Sequence, residues 1–436
     1  MLDIKFIREN PDMVTKALKT RGAVLDSKKL LALDEGRRKK IQEVDELRAR
    51  QNILSEEIAK AGAGERDVKI AESKELKTHL VEAEAQLKIA EEEFGIVMRA
   101  LPNIPKEGWL VGKDEHENAV LREVAASGEP RPAGRGEKRD FKFTPQDYMA
   151  IAEKLDLIDT ERAAKVSGSR FGYLKNEAVL LEMALVQFAF AHLAKKGFVP
   201  VVPPVLIKEE MMRGMGYVDS EKDKEERYFL EKDNMYLVGT SEQSIGPMHA
   251  DEILNEDALP KRYAGFSTCF RREAGSYGKD THGILRVHQF DKVEMFIFSR
   301  PEDSKKEHEL MLALEEELMQ SLGLPYRVVQ LCTGDLSQPS AGTYDIEAWL
   351  PGQNKGEGQY RETHSTSNTT DYQARRLNVK IRRKDGTTEF AHLLNGTAFA
   401  IGRMIIAILE NYQQDDGSVN IPEALQPYMG GMKRLA

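Results

Sequence analysis

Apolar residues recur every seven positions along residues 28–100, in two registers separated by a glycine-rich break at residues 61–64. The first register contains Leu33, Leu47, Leu54 and Ala61, with Val44 and Ile58 alongside, and the second contains Leu80, Leu87, Phe94 and Leu101, with Leu76, Ala83, Ala90 and Val97 alongside. Two heptad helices joined by such a turn bury their apolar seams against each other. The pattern therefore predicts an antiparallel coiled-coil hairpin with arms of about 50 Å, since each helical residue adds about 1.5 Å.

After residue 100 the long repeat gives way to a linker. Two segments rich in proline, glycine and charge, LPNIPKEG and SGEPRPAGRGEKRD, favour an irregular connection. A second domain is therefore expected to begin between Trp109 and Phe141. We predict one domain over residues 1–110, with the hairpin inside it, and another over residues 111–436.

The second domain alternates short helices and strands. The predicted elements are a helix over 176–196, a proline-interrupted strand over 198–206, and helices over 303–322 and 402–412, with further strands between them. Such an order favours a mixed domain with an antiparallel sheet and flanking helices. The fold class predicted for the whole chain is α+β.

The segment FRREAGSYGKDTHGILRVHQFDKVE, residues 270–294, contains the most specific chemistry. Its two ends have polar and aromatic residues at period 2, which predicts two strands around a glycine-containing loop. Side chains of a strand alternate between its faces. One face is expected to carry Arg271, Glu273, Arg286, His288, Phe290, Lys292 and Glu294. Fixed cations, an aromatic ring and a carboxylate suit a nucleoside triphosphate beside a small molecule with an ammonium group.

Composition and charge exclude several classes of protein. The net charge of −9 over 436 residues argues against a general nucleic-acid coat, although local basic patches are compatible with one RNA ligand. The two cysteines form no zinc pattern and fit a reducing compartment. The N-terminus has no apolar signal region. The apolar stretches 179–194 and 398–409 are interrupted by charged residues and are expected to be too short and too polar to span a bilayer. A cytoplasmic protein that does not span a membrane is expected.

Three further motifs, taken with residues 270–294, point to a known family. They are TSE at residues 240–242, YRETHSTSN at residues 360–368 and HLLNGTAFAIGRMI at residues 392–405. Residues 270–294, 360–368 and 392–405 resemble, in that order, motif 2, the metal-binding strand and motif 3 of class II aminoacyl-tRNA synthetases. Residues 176–206 resemble motif 1, with Pro204 as its proline. Taken together with the TSE run, these segments resemble the seryl-tRNA synthetases of bacterial type. The resemblance extends from Met1 to about residue 431.

The resemblance implies a role for individual residues. Arg271 would contact the α-phosphate of ATP and the serine carboxylate, Arg286 the γ-phosphate, and Phe290 with Arg403 the two faces of adenine. The implied ATP-binding set is Arg271, Arg272, Glu273, Arg286, Val287, Phe290, Glu362, Thr363, His364, Ser365 and Arg403, of which Arg271, Glu273, Arg286 and Arg403 are the catalytic residues. The implied serine-binding set is Thr240, Ser241, Glu242, Arg271, Glu294, Asn395 and Thr397. Glu362 and Ser365 would bind Mg²⁺, and His364 is expected to order its strand, not to act as a base.

The implied activity is ligation of L-serine to tRNA(Ser) with ATP by a homodimer, extending to tRNA(Sec) where the host has one. In the family the hairpin reaches the tRNA, and the basic run at residues 37–40 could meet its phosphates. Taken alone, the heptads also fit a dimerisation coil. Two other functions are open: a relative that loads an amino acid onto a carrier protein, and a non-catalytic scaffold. Residues 217–235 are expected to form a mobile surface segment that becomes ordered on serine binding.

Overall fold

The computed structural model describes residues 1–128, 130–131, 141–274, 280 and 282–436. These residues form two compact units, Met1–Pro102 and Asn103–Ala436. The domain limits at residues 110 and 111 stay a prediction. Most of the predicted linker segment 127–140 and the centre of the predicted loop, residues 275–279 and 281, lie outside the described residues.

The first unit is helical and contains the predicted hairpin. Its helices are α1 Ile4–Glu9, α2 Pro11–Lys19, α3 Ser27–Lys60 and α4 Ala63–Ala100. The side chain of Asp26 caps the start of α3 by accepting from the N–H of Lys29 at 2.9 Å. Val44 of α3 is buried against Leu80 and Ala83 of α4. The predicted helical hairpin is therefore confirmed, with Leu47 and Leu87 of the heptads packed at the same seam, whereas Ala61 and Leu101 lie just outside the two helices.

The second unit is built on a large sheet. Its strands are β1 Ala119–Val124, β2 Pro130–Arg131, β3 Ile158–Asp159, β4 Tyr173–Leu174, β5 Val199–Val201, β6 Leu206–Lys208, β7 Phe229–Leu230, β8 Met235–Leu237, β9 Ile253–Asn255, β10 Lys261–Phe270, β11 Gln289–Ser299, β12 Tyr326–Gln330, β13 Gly342–Leu350, β14 Gln359–Asn368, β15 Lys380–Arg382, β16 Thr388–Phe390, β17 His392–Ala400, β18 Val419–Asn420 and β19 Arg434–Leu435. Within the described residues the main sheet has nine strands in the order β2-β1-β12-β13-β14-β17-β11-β10-β5. Its pairings are antiparallel except for β10 with β5.

The second unit also contains helices that connect these strands or pack against them. They are α5 Tyr148–Lys154, α6 Thr160–Ser167, α7 Glu177–Lys195, α8 Glu209–Met215, α9 Glu221–Glu225, α10 Glu242–Ile245, α11 Ser304–Ser321, α12 Gln353–Gly356, α13 Tyr372–Leu377 and α14 Ile401–Tyr412. Residues of α7, α11 and α14 share one core with the central strands. The predicted helices over 176–196, 303–322 and 402–412 correspond to these three. The α+β prediction is confirmed.

Helix α7 differs from its sequence interpretation in one respect. Among the described helices it alone has the length and apolar composition needed to cross a membrane. The prediction that this stretch is too short and too polar to do so is wrong on those two criteria. One face of the helix, including Leu181 and Leu185, is buried in the core shared with the sheet. A core helix meets the same criteria as a spanning one, so this finding is weak evidence for a membrane.

The strands on either side of the 270–294 loop are shorter than predicted. Strand β10 ends at Phe270 and β11 begins at Gln289, with Phe270 opposite Gln289 in the pairing. Glu273 has a φ of +52°, in the left-handed region, so it cannot continue a strand. The expected alternation therefore holds for Phe290, Lys292 and Glu294, whereas Arg271, Glu273, Arg286 and His288 occupy irregular backbone.

Candidate active site

A cleft with an empty volume of about 550 Å³ opens beside the ends of β10 and β11. The start of α14 and strands β14 and β17 form its other walls. The predicted residues that line it are Arg271, Glu273, Arg286, Val287, Phe290, Glu362, Thr363, Thr397 and Arg403. Residues far apart in the sequence, from three of the motifs, therefore meet in one cleft.

Arg271 lies at the end of β10, on the ring of Phe290. Its guanidinium carbon is 5.3 Å from the ring centroid, and its Nε donates to the carbonyl of Gly239 at 3.2 Å. The backbone N–H of Arg271 donates to the carbonyl of His288 at 2.9 Å. Arg271 is thus held by backbone and ring contacts, which leave its charge available for an anion.

Arg286 is held by two carboxylates of its own segment, residues 270–294. Its Nη1 donates to Glu273 Oε2 at 2.9 Å, and its Nε lies 3.9 Å from Asp280 Oδ2. Asp280 also forms an ion pair with Arg361 of β14. The two predicted ATP ligands Arg286 and Glu273 are therefore paired with each other here. A phosphate that binds Arg286 would compete with this pair.

Arg403, in the first turn of α14, pairs with Glu362 of β14. Its Nη1 is 3.1 Å from Glu362 Oε1 and donates to the Glu362 carbonyl at 2.9 Å. Partial desolvation raises the pKa of Glu362, but the charges of Arg403 and Arg271 outweigh that effect and lower it below its usual value. Glu362 is thus an ionised carboxylate at the edge of the cleft, with its side chain 51% exposed.

Mg²⁺ fits the residues around Glu362. Ser365 is hydrogen-bonded to Asp345 of β13, whose Oδ1 is buried and has no hydrogen-bond partner among the described residues. Burial, reinforced by Glu362, raises the pKa of Asp345. No group of three or more His, Cys, Asp or Glu side chains in the described ranges could hold a metal by itself. Carboxylate and hydroxyl oxygens are donors that Mg²⁺ accepts, and phosphate oxygens usually complete its shell.

A second cluster of polar residues lies deeper, between β11 and β17. Thr397 Oγ1 donates to Glu294 Oε2 at 3.3 Å, and the two residues are paired across the strands. Lys292 forms an ion pair with the same carboxylate. Glu294 is 2% exposed, Lys292 6% and Thr397 7%. These groups form a small buried site that can exchange hydrogen bonds with a hydroxyl.

Glu242, at the start of α10, provides another buried carboxylate. Its Oε1 accepts from the hydroxyl of Tyr217 at 3.0 Å and from Gln373 Nε2 at 3.2 Å. Burial, assisted by the charge of Glu294, raises the pKa of Glu242 to about 7. A buried carboxylate with neutral donors and a raised pKa is a suitable partner for an ammonium group.

Comparison with known proteins identifies the family. The family described as "Seryl-tRNA synthetase N-terminal domain" matches residues 1–105, and "tRNA synthetase class II core domain (G, H, P, S and T)" matches residues 228–412. A serine–tRNA ligase of Clavibacter sepedonicus is 46% identical over 100% of this chain and 98% of its own length. The chain belongs to the seryl-tRNA synthetase family. A second such ligase, from Thermobifida fusca, is 44% identical over 99% of this chain and 98% of its own length.

Solved structures of seryl-tRNA synthetases have the same fold. The crystal structure of the Pyrococcus horikoshii enzyme complexed with ATP has a TM-score of 0.86 and 42% identity, covering 100% of this chain and 99% of that one. The cytoplasmic serine–tRNA ligase of Naegleria fowleri in complex with AMP has a TM-score of 0.82 and 36% identity, covering 100% of this chain and 98% of that one. Both likenesses include the helical hairpin and the catalytic unit.

The synthetase site does not bring every predicted side chain into the cleft. His364 is fully buried, 2.8 Å from Thr363 Oγ1, and burial lowers its pKa to about 3. Arg272 is exposed and lies over the ring of Tyr228. Asn395 lies two residues before Thr397, and its carbonyl accepts from Thr366. Contact of these three residues with substrate stays a prediction.

The TSE run of the synthetase is buried at the start of α10. The hydroxyl of Thr240 accepts from the N–H of Glu242 at 3.3 Å, and Ser241 Oγ donates to the carbonyl of Gly265 at 3.3 Å. Both residues are nearly inaccessible, at 4% and 0% exposure. Their hydroxyls therefore hold the turn that presents Glu242.

Sequence reasoning missed several groups and misplaced one segment. Tyr217 and Gln373 bind Glu242, although no motif contains them, and Asp345 adjoins the predicted metal residues. Residues 217–235 were expected to lie at the surface, and this is wrong at their start. Val218 is 2% exposed, and the Asp219 side chain, 4% exposed, pairs with Arg376 at 2.7 Å. The burial of the Tyr217 hydroxyl against Glu242 explains the difference.

Proposed function

We propose that the chain is a serine–tRNA ligase, which activates L-serine with ATP to seryl-adenylate and transfers the serine to tRNA(Ser). The observation that supports this most directly is the continuity of two sites. Arg271 and Arg403 line the cleft suited to a nucleotide, and the same cleft reaches Thr397, which bonds Glu294. An amino acid seated there would have its carboxylate towards the cations and its side chain towards the buried hydroxyl.

Activation needs positive charge and alignment, without a general base. The serine carboxylate is already ionised at neutral pH and attacks the α-phosphorus of ATP as pyrophosphate leaves. Arg271 and Arg286 supply charge to the phosphates, and Phe290 with Arg403 orients the adenine. The low pKa of buried His364 keeps that imidazole neutral. A neutral, buried imidazole is unsuited to act as a base in the cleft, so the role proposed for His364 is to order β14.

Alanine and threonine would be excluded from the serine site by different physical effects. A serine hydroxyl would hydrogen-bond with Thr397 and Glu294, whereas alanine would leave these buried groups with an unfilled partner site. Threonine adds a methyl group, which only the shape of the buried site can exclude. The ammonium group would pair with Glu242, assisted by Thr240 and Ser241, which hold the turn.

Mg²⁺ would bind Glu362 with Ser365 and phosphate oxygens of ATP. The ion would neutralise phosphate charge during the displacement. Arg403 already partners Glu362 at 3.1 Å, so this carboxylate can be shared between the cation and the arginine. The half-exposed position of Glu362 at the cleft edge gives an ion access from solvent.

The helical hairpin would bind tRNA. Arg38 and Lys39 of α3 have side-chain exposures of 50% and 74% and pair with Asp34 and Glu35 of the same helix, so a phosphate could reach them in competition with these ion pairs. Recognition of an RNA arm by shape and backbone suits a long charged helix pair. This unit argues against the carrier-protein alternative, since a carrier-loading relative would not need a tRNA arm. By the same family relation, tRNA(Sec) would be a second substrate where the host has one.

A homodimer is proposed from α7 and the strands that follow it. Val179, Leu180 and Met183 lie on one side of the helix and are 39%, 47% and 43% exposed, and Val202 is 76% exposed. Contiguous exposed apolar side chains indicate an interaction surface. The location proposed for the enzyme is the cytoplasm, where tRNA charging occurs.

Pyrophosphate exchange across the twenty amino acids tests the proposed function. The purified chain should exchange pyrophosphate into ATP with serine far faster than with any other amino acid, and should do so without tRNA. Exchange with another amino acid would identify a different specificity. The absence of exchange with all of them, from a folded protein, would favour the scaffold.

A further inference from the structure

A short segment preceding β7 packs along the Arg271 side of the cleft. The N–H of Arg272 donates to the carbonyl of Glu226 at 3.1 Å, and the Arg272 guanidinium lies 5.9 Å from the ring centroid of Tyr228. These two contacts place Arg227, the residue between them, next to Arg271. Neither the class II motifs nor the TSE run includes this position.

The guanidinium of Arg227 forms no ion pair with a carboxylate of the described residues, although Glu226 and Asp223 are near enough to act on its charge. It lies 5.3 Å from the ring centroid of Tyr217, and its Nη1 donates to the carbonyl of Glu226 at 3.3 Å. Its Nε is shielded from solvent and has no hydrogen-bond partner among the described residues. Burial lowers the pKa of Arg227, and the charge of Arg271 lowers it further. Two adjacent arginines with a free buried donor form a site for an anion.

The hydroxyl of Tyr217, at the opposite end of its side chain from the backbone, indicates which anion would bind. The hydroxyl of Tyr217 donates to Glu242 at 3.0 Å, while its ring supports Arg227. Tyr217 therefore lies between two groups. One is the carboxylate of Glu242, which is proposed to bind the ammonium group, and the other is the guanidinium of Arg227. In an amino acid the ammonium and carboxylate groups are attached to the same carbon. We infer that Arg227 binds substrate directly, by donating to the carboxylate of L-serine, an inference that rests on the proposed function.

This contact would also orient the attack on ATP. Arg227 would hold one carboxylate oxygen and leave the other directed at the α-phosphorus beside Arg271. The free oxygen forms the new bond to phosphorus, and the bond from phosphorus to the bridging oxygen of the β-phosphate breaks. Its electron pair leaves with pyrophosphate, and the oxygen held by Arg227 becomes the carbonyl oxygen of the adenylate.

The test compares L-serine with L-serinamide, which keeps the hydroxyl and ammonium groups but has no carboxylate. The serine KM in pyrophosphate exchange and the Ki of L-serinamide against that exchange would be measured for Arg227→Met, Arg227→Gln and Arg227→Lys. Lys232→Met is the matched control, since Lys232 is an exposed cation only five residues further on, in the turn after β7. Losing a charge-assisted hydrogen bond should raise the serine KM about 10- to 100-fold in the Met and Gln variants, with the serinamide Ki nearly unchanged.

The lysine variant should fall between wild type and the two neutral variants, and the control should match wild type. A wild-type serine KM in both neutral variants would overturn the inference, as would equal losses for serine and serinamide. The glutamine variant decides the matter if Arg227→Met does not fold. Failure of the proposed function is distinguishable, because the wild-type protein itself would then show no serine-dependent exchange.

Discussion

Replacing Thr397 by valine is expected to impair serine recognition while leaving ATP binding intact. Valine keeps the branched shape of threonine and removes the hydroxyl that donates to Glu294 Oε2 at 3.3 Å. A hydrogen bond to a charged group contributes about 1.5–3 kcal/mol, which corresponds to roughly 10- to 150-fold in affinity. Glu294 keeps its ion pair with Lys292 and is not left unpaired, so the lower part of that range is expected.

The assay is pyrophosphate exchange with serine and with alanine, at varied serine and varied ATP. The serine KM should rise about 10- to 30-fold and the preference for serine over alanine should fall by a similar factor, with the ATP KM unchanged. Thr343→Val is the matched control. Its hydroxyl is also buried in the main sheet, but it bonds Ser340 and Ser367, each at 2.8 Å. An unchanged serine KM and serine-to-alanine ratio in Thr397→Val would refute the assignment.

Three further predictions concern the cations, the pH dependence and the hairpin. Arg271→Ala should reduce serine-dependent exchange about 100-fold or more in a protein that still melts cooperatively, and near-wild-type exchange would remove Arg271 from the mechanism. Protonation of Glu242 below its pKa of about 7 removes the charge that attracts ammonium, so kcat/KM for serine should fall as the pH drops through 7. Glu242→Gln should lack that titration, and an identical pH profile would contradict the role. A chain without residues 28–100, rejoined by a short glycine linker, should make seryl-adenylate but charge tRNA with a raised tRNA KM and a smaller salt dependence, whereas equal charging at low tRNA would favour the dimerisation coil.

Local patterns predicted the parts of the fold that are themselves local. The hairpin followed from heptads because each helix repeats one contact along its length, as at Val44 and Leu80. The alternation of residue types could not show where the strands end near Arg271 and Glu273. Alternating residue types persist there, but the positive φ of Glu273 ends the regular backbone.

The candidate site was predictable only as far as its motifs extend. Residues of motif 2 and motif 3 line one cleft, and their contacts with substrate stay a prediction. Gln373 reaches Glu242 from 131 residues away, and Tyr217 reaches it from 25 residues away in a segment whose charge suggested the surface. Such contacts depend on how separate elements pack. No spacing within the sequence encodes them.

Aminoacylation of purified tRNA(Ser) with radiolabelled L-serine tests the central claim most directly. In the presence of ATP and Mg²⁺, the intact chain should form acid-precipitable seryl-tRNA(Ser). It should charge neither tRNA(Ala) with serine nor tRNA(Ser) with alanine or threonine to a comparable extent. Formation of seryl-adenylate without any transfer to tRNA(Ser) would contradict the ligase and favour a carrier-loading enzyme.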